Sequence, residues 1–300
     1  MMKLLKGDCL IESDKIESGS VDLILTDLPY GTVKDIKNVN HGMSGKCDWD
    51  VVIDTKKIME VANRILRKNG KMVLTAQQPF TNELVNKAIP NIPFNYSMIW
   101  EKDHFANALT AKKAPVNYFE DVLVFSKNYD FEGLHPLRDY FKSLLDFIGF
   151  NKKCIIEKIG QRADHCFRFN SSQFELCKKH TYLDLIKEFS INNMESFLNY
   201  EELERLNNRY TSTFNLWEGN KYKSNILKYK KDYDGHHPTQ KPVLLLEDLI
   251  KTFSNKNDLV VDLTMGSGST GVAAKNTNRN FIGIEQDENY FKIATERINK

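Results

Sequence analysis

The sequence predicts an α/β fold in which a Rossmann-like sheet is permuted along the chain and interrupted by a mainly helical insertion. Short apolar runs alternate with helical patterns from residue 3 to about residue 126, which is the rhythm of βαβ units. This rhythm is lost from 127 to 235 and returns from 236 to 300. We therefore expect an N-terminal half at 1–126, an inserted domain at 127–235 and a C-terminal half at 236–300.

Five strands and two helices are predicted in the N-terminal half. The strands are Lys3–Gly7, Val21–Thr26, Lys71–Ala76, Tyr96–Glu101 and Asp121–Ser126. Asp54–Lys68 has the apolar spacing of an amphipathic helix and stops at Asn69-Gly70, a pair typical of helix C-termini. A second helix begins at Pro79 and runs to about Ala88. The alternation of strands and helices favours a parallel sheet.

Two strands and three helices are predicted in the C-terminal half. In chain order they are helix Val243–Phe253, strand Leu259–Leu263, helix Ser269–Lys275, strand Phe281–Ile284 and helix Glu288–Asn299. A doubly wound sheet normally continues with further strands beyond such a pair. The N-terminal strand Lys3–Gly7 can supply that continuation. We therefore expect a sheet that is permuted in sequence and complete in space.

Composition limits the class of protein. Hydrophobic residues make up 41% of the chain, enough to build a core. No apolar run approaches the ~20 residues of a membrane span, and no cleavable apolar segment starts the chain, so we expect a cytoplasmic protein.

Five cysteines without paired C-x2-C spacing favour reduced thiols over disulfides or a metal site. The net charge of +2 does not decide for or against a polyanionic partner, although residues 127–231 hold 18 Lys and Arg against 14 Asp and Glu.

A glycine-rich turn follows the predicted strand Leu259–Leu263 and leads into the next helix. Gly266 and Gly268 let the backbone pass close to a ligand. Glu285 ends the following strand, 23 residues after Asp262, where a carboxylate can accept both ribose hydroxyls of a nucleoside. This arrangement favours an adenosyl cofactor over the alternative, a tight structural turn with a solvated Glu285. The order of Gly, Lys and Ser/Thr that defines a phosphate loop does not occur there.

The first strand also delivers a carboxylate, in Gly7-Asp8-Cys9-Leu10. Asp8 can accept a hydrogen bond from an adenine amino group. It can equally cap the N-terminus of a helix, since aspartate is common before an apolar helix. The two roles are compatible.

Asp27-Leu28-Pro29-Tyr30 directly follows the apolar strand Val21–Thr26. Ligands bind at the carboxyl ends of strands in open α/β sheets, so this turn and the glycine turn should face each other. A ring amino group is a poor nucleophile, and two acceptors aimed at its hydrogens can free its lone pair to attack a sulfonium methyl group. Asp27 would supply one acceptor and the Leu28 carbonyl the other. Pro29 would restrict Leu28, and Tyr30 would stack on a flipped base.

The alternative reading of the tetrapeptide is an ordinary turn at a strand end. The glycine turn elsewhere in the chain weighs against it.

Together the tetrapeptide and the glycine turn resemble the amino-methylating DNA methyltransferases, the N6-adenine and N4-cytosine group, whose catalytic motif reads Asp/Asn/Ser-Pro-Pro-Tyr/Phe. Leu28 replaces the first proline, but the motif uses the main-chain carbonyl there. The family's cofactor motif, Asp-Pro-Phe-x-Gly-Ser-Gly-Thr-Thr, is similar to Asp262–Thr270, with Thr264 in place of Phe.

Smaller blocks are similar as well, namely Gly7–Leu10, Trp49-Asp50, Trp100–Lys102, Phe119–Asp121 and His237–Pro242. The order of the motifs is that of the β class. The resemblance implies a methyltransferase sheet with a catalytic half at 1–126, a target-recognition domain at 127–235 and a cofactor-binding half at 236–300. It implies S-adenosylmethionine as cofactor and double-stranded DNA as substrate. The residues that it implies for cofactor binding are Asp8, Cys9, Asp27, Asp262, Thr264, Gly266, Ser267, Gly268, Ser269, Thr270, Glu285 and Gln286.

An aspartate at the head of the catalytic motif is typical of N6-adenine enzymes, so we expect site-specific methylation of adenine N6. Three alternatives stay open: N4 of cytosine, an amino group in RNA, and a catalytically silent DNA-binding module. The sequence also leaves open whether a cognate restriction endonuclease accompanies the protein and whether it forms a homodimer.

The middle region predicts two helices, Asp139–Ile148 and Lys152–Ile159, before Gly160. A polar and basic segment follows, which suggests a helix-turn-helix that places this segment in the major groove. The side chains predicted to contact DNA are Arg162, His165, Arg168, Ser171, Ser172 and Gln173. The alternative is a small helical insertion with a solvated basic face.

Overall fold

The computed structural model describes residues 1–30, 53–106, 111–129, 135–208, 210–216, 219, 221–232 and 240–300. These residues form two compact units. The first comprises Met1–Leu66, Gly70–Lys127 and Thr213–Lys300, and the second comprises Arg67–Asn69 and Asn128–Ser212. The inserted domain predicted at 127–235 is therefore longer than the second unit, because the chain from Thr213 onward belongs to the first.

The first unit is built on a mixed sheet, which has eight strands in the described part of the chain. They are β1 (Met2–Lys6), β2 (Val21–Thr26), β3 (Leu66–Ala76), β4 (Phe94–Ala106), β5 (Asn117–Ser126), β6 (Ile226–Lys228), β7 (Leu259–Asp262) and β8 (Asn280–Glu285). Their order across the sheet is β1-β8-β7-β2-β3-β5-β4-β6.

The permuted Rossmann-like sheet predicted from the sequence is confirmed. Strand β1 pairs in parallel with β8, β8 with β7, and β7 with β2, so the first strand of the chain lies beside the last. Strand β3 continues the parallel run on the other side of β2. The carboxyl ends of these five strands consequently open at one edge of the sheet.

The expectation of an all-parallel N-terminal half was wrong for β5, which pairs antiparallel with both β3 and β4. Strand β4 ends at Ala106 and β5 begins at Asn117, and this connection is shorter than the dozen or more residues of a parallel crossover. The reversal has a consequence for the site. The first residues of β5 lie at the edge where β2 and β3 end.

Helix α2 (Thr55–Ile65) stops earlier than the predicted Lys68, because Leu66 already pairs with Val21 in the sheet. Asn69 has the positive φ of 64° expected of a helix terminus but lies within β3. Helix α3 (Phe80–Asn86) begins after Pro79, close to the prediction. A short helix, α1 (Cys9–Glu12), follows β1.

Alternate residues of the central strands face two different cores. Ile24 packs with α2 and α3, whereas Leu23 and Leu25 pack with the C-terminal helices. Those helices, which we number α8 to α10 because four helices of the second unit precede them, are α8 (Val243–Phe253), α9 (Ser269–Asn276) and α10 (Glu288–Asn299). Burial on both faces explains why Val21–Thr26 reads as a nearly continuous apolar run.

The second unit is helical and has its own core. Its helices are α4 (Leu137–Ile148), α5 (Lys152–Ile159), α6 (Lys179–Phe189) and α7 (Tyr200–Asn208). Phe141, Leu144 and Tyr182 are fully buried among them. Helices α4 and α5 confirm the two predicted there. The segment predicted to enter the major groove contains 3-10 turns at Gln161–Ala163 and His165–Phe167 and no α-helix, so the predicted helix-turn-helix is not formed by these residues.

Candidate active site

The turn Asp27–Tyr30, which we call the catalytic turn after its predicted role, begins where β2 leaves the sheet. Thr26, the last residue of the strand, donates a hydrogen bond from its Oγ1 to Asp262 Oδ1 at the end of β7, at 2.7 Å. The Thr264 hydroxyl donates to the backbone carbonyl of Asp27 at 2.9 Å. These contacts place the catalytic turn directly beside the glycine turn, as expected from strands whose carboxyl ends share an edge.

The Asp27 carboxylate accepts three side-chain donors. Its Oδ1 accepts the hydroxyl of Tyr30 at 2.7 Å and the hydroxyl of Thr75, and its Oδ2 accepts the ammonium group of Lys241 at 2.5 Å. An ionised carboxylate has about four acceptor positions. With respect to the described residues, one acceptor position of Asp27 therefore remains for a donor from a substrate.

Tyr30 has its hydroxyl on Asp27 and its ring 5.3 Å from the Phe80 ring, measured between centroids. Burial, reinforced by the negative charge of Asp27, raises the pKa of Tyr30, so the phenol stays protonated. Leu28 is only 2% exposed and packs in the core beneath the turn. Gly31 and Trp49-Asp50 lie outside the described residues, as do residues 237–239 of the segment before α8.

Lys241 joins Asp27 to a second buried carboxylate. Its Nζ lies 3.2 Å from Glu120 Oε2, while Glu120 Oε1 accepts Lys102 Nζ at 2.9 Å and Gln77 Nε2 at 3.2 Å. Burial opposes a charge on Lys241, but Asp27 and Glu120 outweigh it and raise the pKa of the lysine. Burial likewise opposes the charge on Glu120, but the two lysines lower its pKa. Lys241 and Glu120 are therefore both charged at neutral pH.

The roles of Lys241, Glu120 and Lys102 at the site were not predicted from the sequence. Lys241, Glu120 and Lys102 occur only in blocks whose resemblance to the family was noted without a role. Their convergence depends on the reversed direction of β5, which brings Glu120 to the edge where Asp27 lies. The sequence carries no local signal of this pairing, because each partner belongs to a different segment of the chain.

Glu285 lies at the end of β8, the position at which the sequence predicts a carboxylate that binds the ribose of a nucleoside. Its Oε2 accepts the backbone N–H of Gly266 at 2.8 Å, and its Oε1 accepts that of Asp287 at 2.8 Å. Burial raises the pKa of Glu285. Each oxygen keeps acceptor capacity for a hydroxyl. A Cβ at Gly266, where φ is +52°, would meet no atom within 4 Å, so there is open space beside this backbone for a ligand. These residues fit an adenosyl group.

Gly268 is required for a different reason. Its φ is +84°, and a Cβ there would lie 2.9 Å from the Ala294 Cβ of α10. Helix packing therefore demands this glycine whether or not a ligand binds. The sequence expectation that both glycines serve close approach to a ligand is refined to Gly266.

The other polar side chains of the glycine turn are bound within the protein. Asp262 accepts from Thr26, from the Thr264 backbone at 3.1 Å and from Thr270, and burial raises its pKa to about 6. Arg297 donates to the Ser267 carbonyl at 2.8 Å and to the hydroxyls of Ser267 at 3.0 Å and Ser269 at 3.3 Å. These side chains hold the shape of the turn.

Asp8 lies on the strand end next to Glu285, because the Gly7 N–H donates to the Glu285 carbonyl at 3.0 Å. Its Oδ1 accepts the Leu10 N–H at 2.8 Å and caps α1. Cys9 is buried, which raises the pKa of its thiol to about 12, so the thiol is neutral. Gln286 is exposed beyond the end of β8.

In the second unit, the basic side chains predicted to contact DNA are paired with carboxylates. Arg162 donates to Asp184 at 2.7 Å, and Arg168 donates to Asp164 at 2.5 Å. Backbone and side-chain contacts also order the rest of the segment: Gln173 N–H donates to the Ser171 hydroxyl at 3.2 Å. His165, Ser172 and Gln173 are exposed.

The described ranges contain neither a candidate metal cluster nor a helix that could span a membrane. Among those residues, no cluster of His, Cys, Asp and Glu has the arrangement of a metal site. The helices in the same ranges include none with the length and hydropathy needed to cross a membrane.

Comparison with known proteins gives the family. The model of a family described as DNA methylase, the N6 and N4 group, matches residues 21–296. The DNA adenine methyltransferase YhdJ of Escherichia coli K12 is 28% identical over 304 residues, covering 99% of this chain and 82% of that protein. The type II methyltransferase M2.LlaDCHI of Lactococcus lactis subsp. cremoris is 38% identical over 104 residues, so the match covers only 35% of this chain and 36% of that relative.

The fold is also similar to that of a solved methylase. The crystal structure of an M1.HpyAVI–SAM complex superposes with a TM-score of 0.55 at 20% identity, covering 100% of both chains. The family match spans both turns and everything between them. The chain belongs to the DNA methylase family whose members methylate amino groups at N6 of adenine or N4 of cytosine with S-adenosylmethionine.

Proposed function

We propose that this protein transfers a methyl group from S-adenosylmethionine to N6 of adenine at specific sites in double-stranded DNA. The observation that carries the proposal is the hydrogen bond from Thr264 to the Asp27 carbonyl, 2.9 Å long, which holds the catalytic and glycine turns together. A methyl donor on one turn would thus meet an amino acceptor on the other. Proximity of this kind is a large part of catalysis of group transfer.

The cofactor would lie along the strand ends of β1, β8 and β7. Glu285 would accept the ribose hydroxyls, Asp8 the adenine amino group, and the backbone at Gly266 would pass alongside. Cys9 and Gln286 flank these positions, and Asp262, Thr264, Ser267, Gly268, Ser269 and Thr270 would act mainly by shaping the turn. The sulfonium of the cofactor supplies the electrophilic methyl group.

The catalytic turn would activate the target amino group. Its nitrogen lone pair is delocalised into the ring, and acceptors on both N–H groups favour a more tetrahedral nitrogen. Asp27 offers its remaining acceptor position to one hydrogen, and the Leu28 carbonyl, oriented by Pro29, would accept the other. Tyr30 would stack on a base flipped from the duplex. With both hydrogens accepted, the nitrogen lone pair would be free to take up the methyl group that the cofactor supplies, and the nitrogen would then release one of these hydrogens as a proton to solvent.

Adenine is favoured by two observations. An aspartate heads the catalytic motif, and a relative that aligns with 99% of this chain, YhdJ, is described as a DNA adenine methyltransferase. The second unit, 128–212, would serve as the target-recognition domain. Its candidate contacts are Arg162, His165, Arg168, Ser171, Ser172 and Gln173, which carry the donors and acceptors that can meet base edges and phosphates.

Incubation with tritiated S-adenosylmethionine tests the proposal. Unmethylated duplex DNA of mixed sequence and RNA are offered separately, and the digested nucleosides are resolved. We expect label in N6-methyladenine from duplex DNA. Label in N4-methylcytosine, or in RNA alone, would contradict the substrate assignment. No label in either, with the cofactor bound, would contradict enzymatic activity.

Asp27→Ala provides the matched control. We expect methylation to fall at least 100-fold, in line with the ~10²–10³-fold effect of losing one oriented electrostatic partner. Binding of the cofactor, measured by calorimetry, should change little because Glu285 and the glycine turn are untouched. Equal loss of binding and methylation would assign Asp27 to cofactor binding instead.

A further inference from the structure

A chain of alternating buried charges runs from the catalytic turn across the sheet edge. Asp27 contacts Lys241, Lys241 contacts Glu120, and Glu120 contacts Lys102, at 2.5, 3.2 and 2.9 Å. The side chains of Lys241, Glu120 and Lys102 are 7%, 10% and 4% exposed, whereas that of Asp27 is 30% exposed. Only the catalytic end of the chain reaches solvent.

We propose that Lys241 is the positioning residue for Asp27: clamped by Glu120, it fixes one carboxylate oxygen and supplies the positive charge that balances the carboxylate as it meets the target amino group. This inference rests on the proposed function, because it names a determinant of that same site. Lys241 acts through Asp27 in this scheme and is not itself a contact of the substrate.

The division of the Asp27 oxygens supports this role. Lys241 holds Oδ2, while the hydroxyls of Tyr30 and Thr75 hold Oδ1. With both oxygens fixed, the free acceptor position has a defined direction. Neutral hydroxyl donors could orient the group, but among the described residues only Lys241 contributes a compensating positive charge at contact distance.

Ionisation matters because the attacking nitrogen becomes positively charged. A protonated Asp27 would lose an acceptor position and the negative charge that stabilises this developing charge. Among the described residues, the titratable groups that face Asp27 are Tyr30, Lys241 and, more distantly, Glu120 and Asp262. Tyr30 is kept protonated and the two carboxylates are anionic neighbours, so Lys241 is the cation of this group.

Glu120 explains how a lysine can be buried here. Two lysines and two carboxylates give the chain no net charge, which limits the penalty of removing the charges from water. Removal of Lys241 alone would leave two carboxylates, Asp27 and Glu120, against one lysine, Lys102, and would take away the cationic contact of Asp27. One of the two carboxylates should then take up a proton near neutral pH.

Lys241→Met tests the role through the pH dependence of kcat. The active form has Asp27 ionised, and its pKa should rise when the cation is lost. The acid limb of the profile should therefore move to higher pH by about 1–3 units, the usual effect of one adjacent charge. Activity lost at neutral pH should return in part as the pH is raised. Lys228→Met, which removes a 71% exposed lysine paired with Glu101, is the matched control and should leave the profile in place.

The double variant Lys241→Met with Glu120→Gln separates charge from simple damage. Removing the Glu120 charge relieves the anionic pair, so the acid limb should move back toward the wild-type position. A structural role alone predicts a loss of kcat at every pH and a double variant at least as impaired as the single one. That result, or an unshifted acid limb in Lys241→Met, would overturn the proposal.

A measurement without turnover keeps the inference independent of the substrate assignment. The side-chain carboxyl carbon of Asp27 can be titrated by NMR, with Asp27→Asn used for its assignment. We expect its midpoint to rise in Lys241→Met and to fall back in the double variant. If the wild-type protein fails to methylate DNA but this titration shifts, the proposed function fails and the electrostatic role stands. An unchanged midpoint rejects the role whatever the activity.

Discussion

A buried ion pair of the first unit contrasts with an exposed ion pair of the second. In the first unit, Lys102 and Glu120 are 4% and 10% exposed. In the second unit, Arg162 and Asp184 are 48% and 42% exposed. Charges that are withdrawn from water must keep their partners, whereas exposed partners can be exchanged at little cost. Buried pairs therefore fix a geometry, and exposed basic groups remain able to meet a polyanion.

The largest expected effect comes from breaking a buried pair. Lys102→Met should lower the free energy of unfolding by about 3 kcal/mol or more, because Glu120 would then keep, within the described part of the chain, only Lys241 as a cationic neighbour. Urea unfolding followed by circular dichroism measures the change. A loss below about 1 kcal/mol would mean that this pair behaves like a surface one and that the contrast between the units is not one of burial.

Glu285 is a third kind of carboxylate, because it is buried and its partners are backbone amides instead of a cation. Glu285→Gln should raise the Kd for S-adenosylmethionine about tenfold, since a charge-assisted hydrogen bond contributes about 1.5–3 kcal/mol. Calorimetry measures the affinity. Gln286→Ala, next to it and exposed, is the matched control and should have a smaller effect. Equal affinities for wild type and Glu285→Gln would contradict a role for this carboxylate in holding the ribose.

The features of the site differ in how well they could be predicted from the sequence. The catalytic tetrapeptide, the glycine turn and Glu285 were found because each follows an apolar strand, and local patterns reveal strand ends. The permuted sheet followed from the order of those patterns. Each of these features is encoded within a short stretch of chain.

The chain of buried charges from Asp27 to Lys102 could not be predicted from local sequence patterns. Glu120 reaches Lys241 only because β5 runs antiparallel to β3, and strand direction depends on pairing between distant segments. The early end of α2 has a similar origin, since Leu66 is recruited by Val21 of another strand. In the second unit, polar residues after α5 suggested a recognition helix, but Cys166 and Phe167 are drawn into the core and the segment forms 3-10 turns.

The smallest change in stability is expected at the exposed pair of the second unit. Arg162→Ala should alter the free energy of unfolding by less than about 1 kcal/mol, because an exposed ion pair contributes little. If Arg162 leaves Asp184 to contact DNA, the same variant should raise KM for duplex DNA severalfold with kcat retained, and the salt dependence of binding should become shallower. Lys158→Ala breaks a comparably exposed pair with Glu188 and serves as the control for a general loss of positive charge. Equal effects of the two variants on KM would assign Arg162 to nonspecific attraction, and no effect of either would remove this face from the DNA interface.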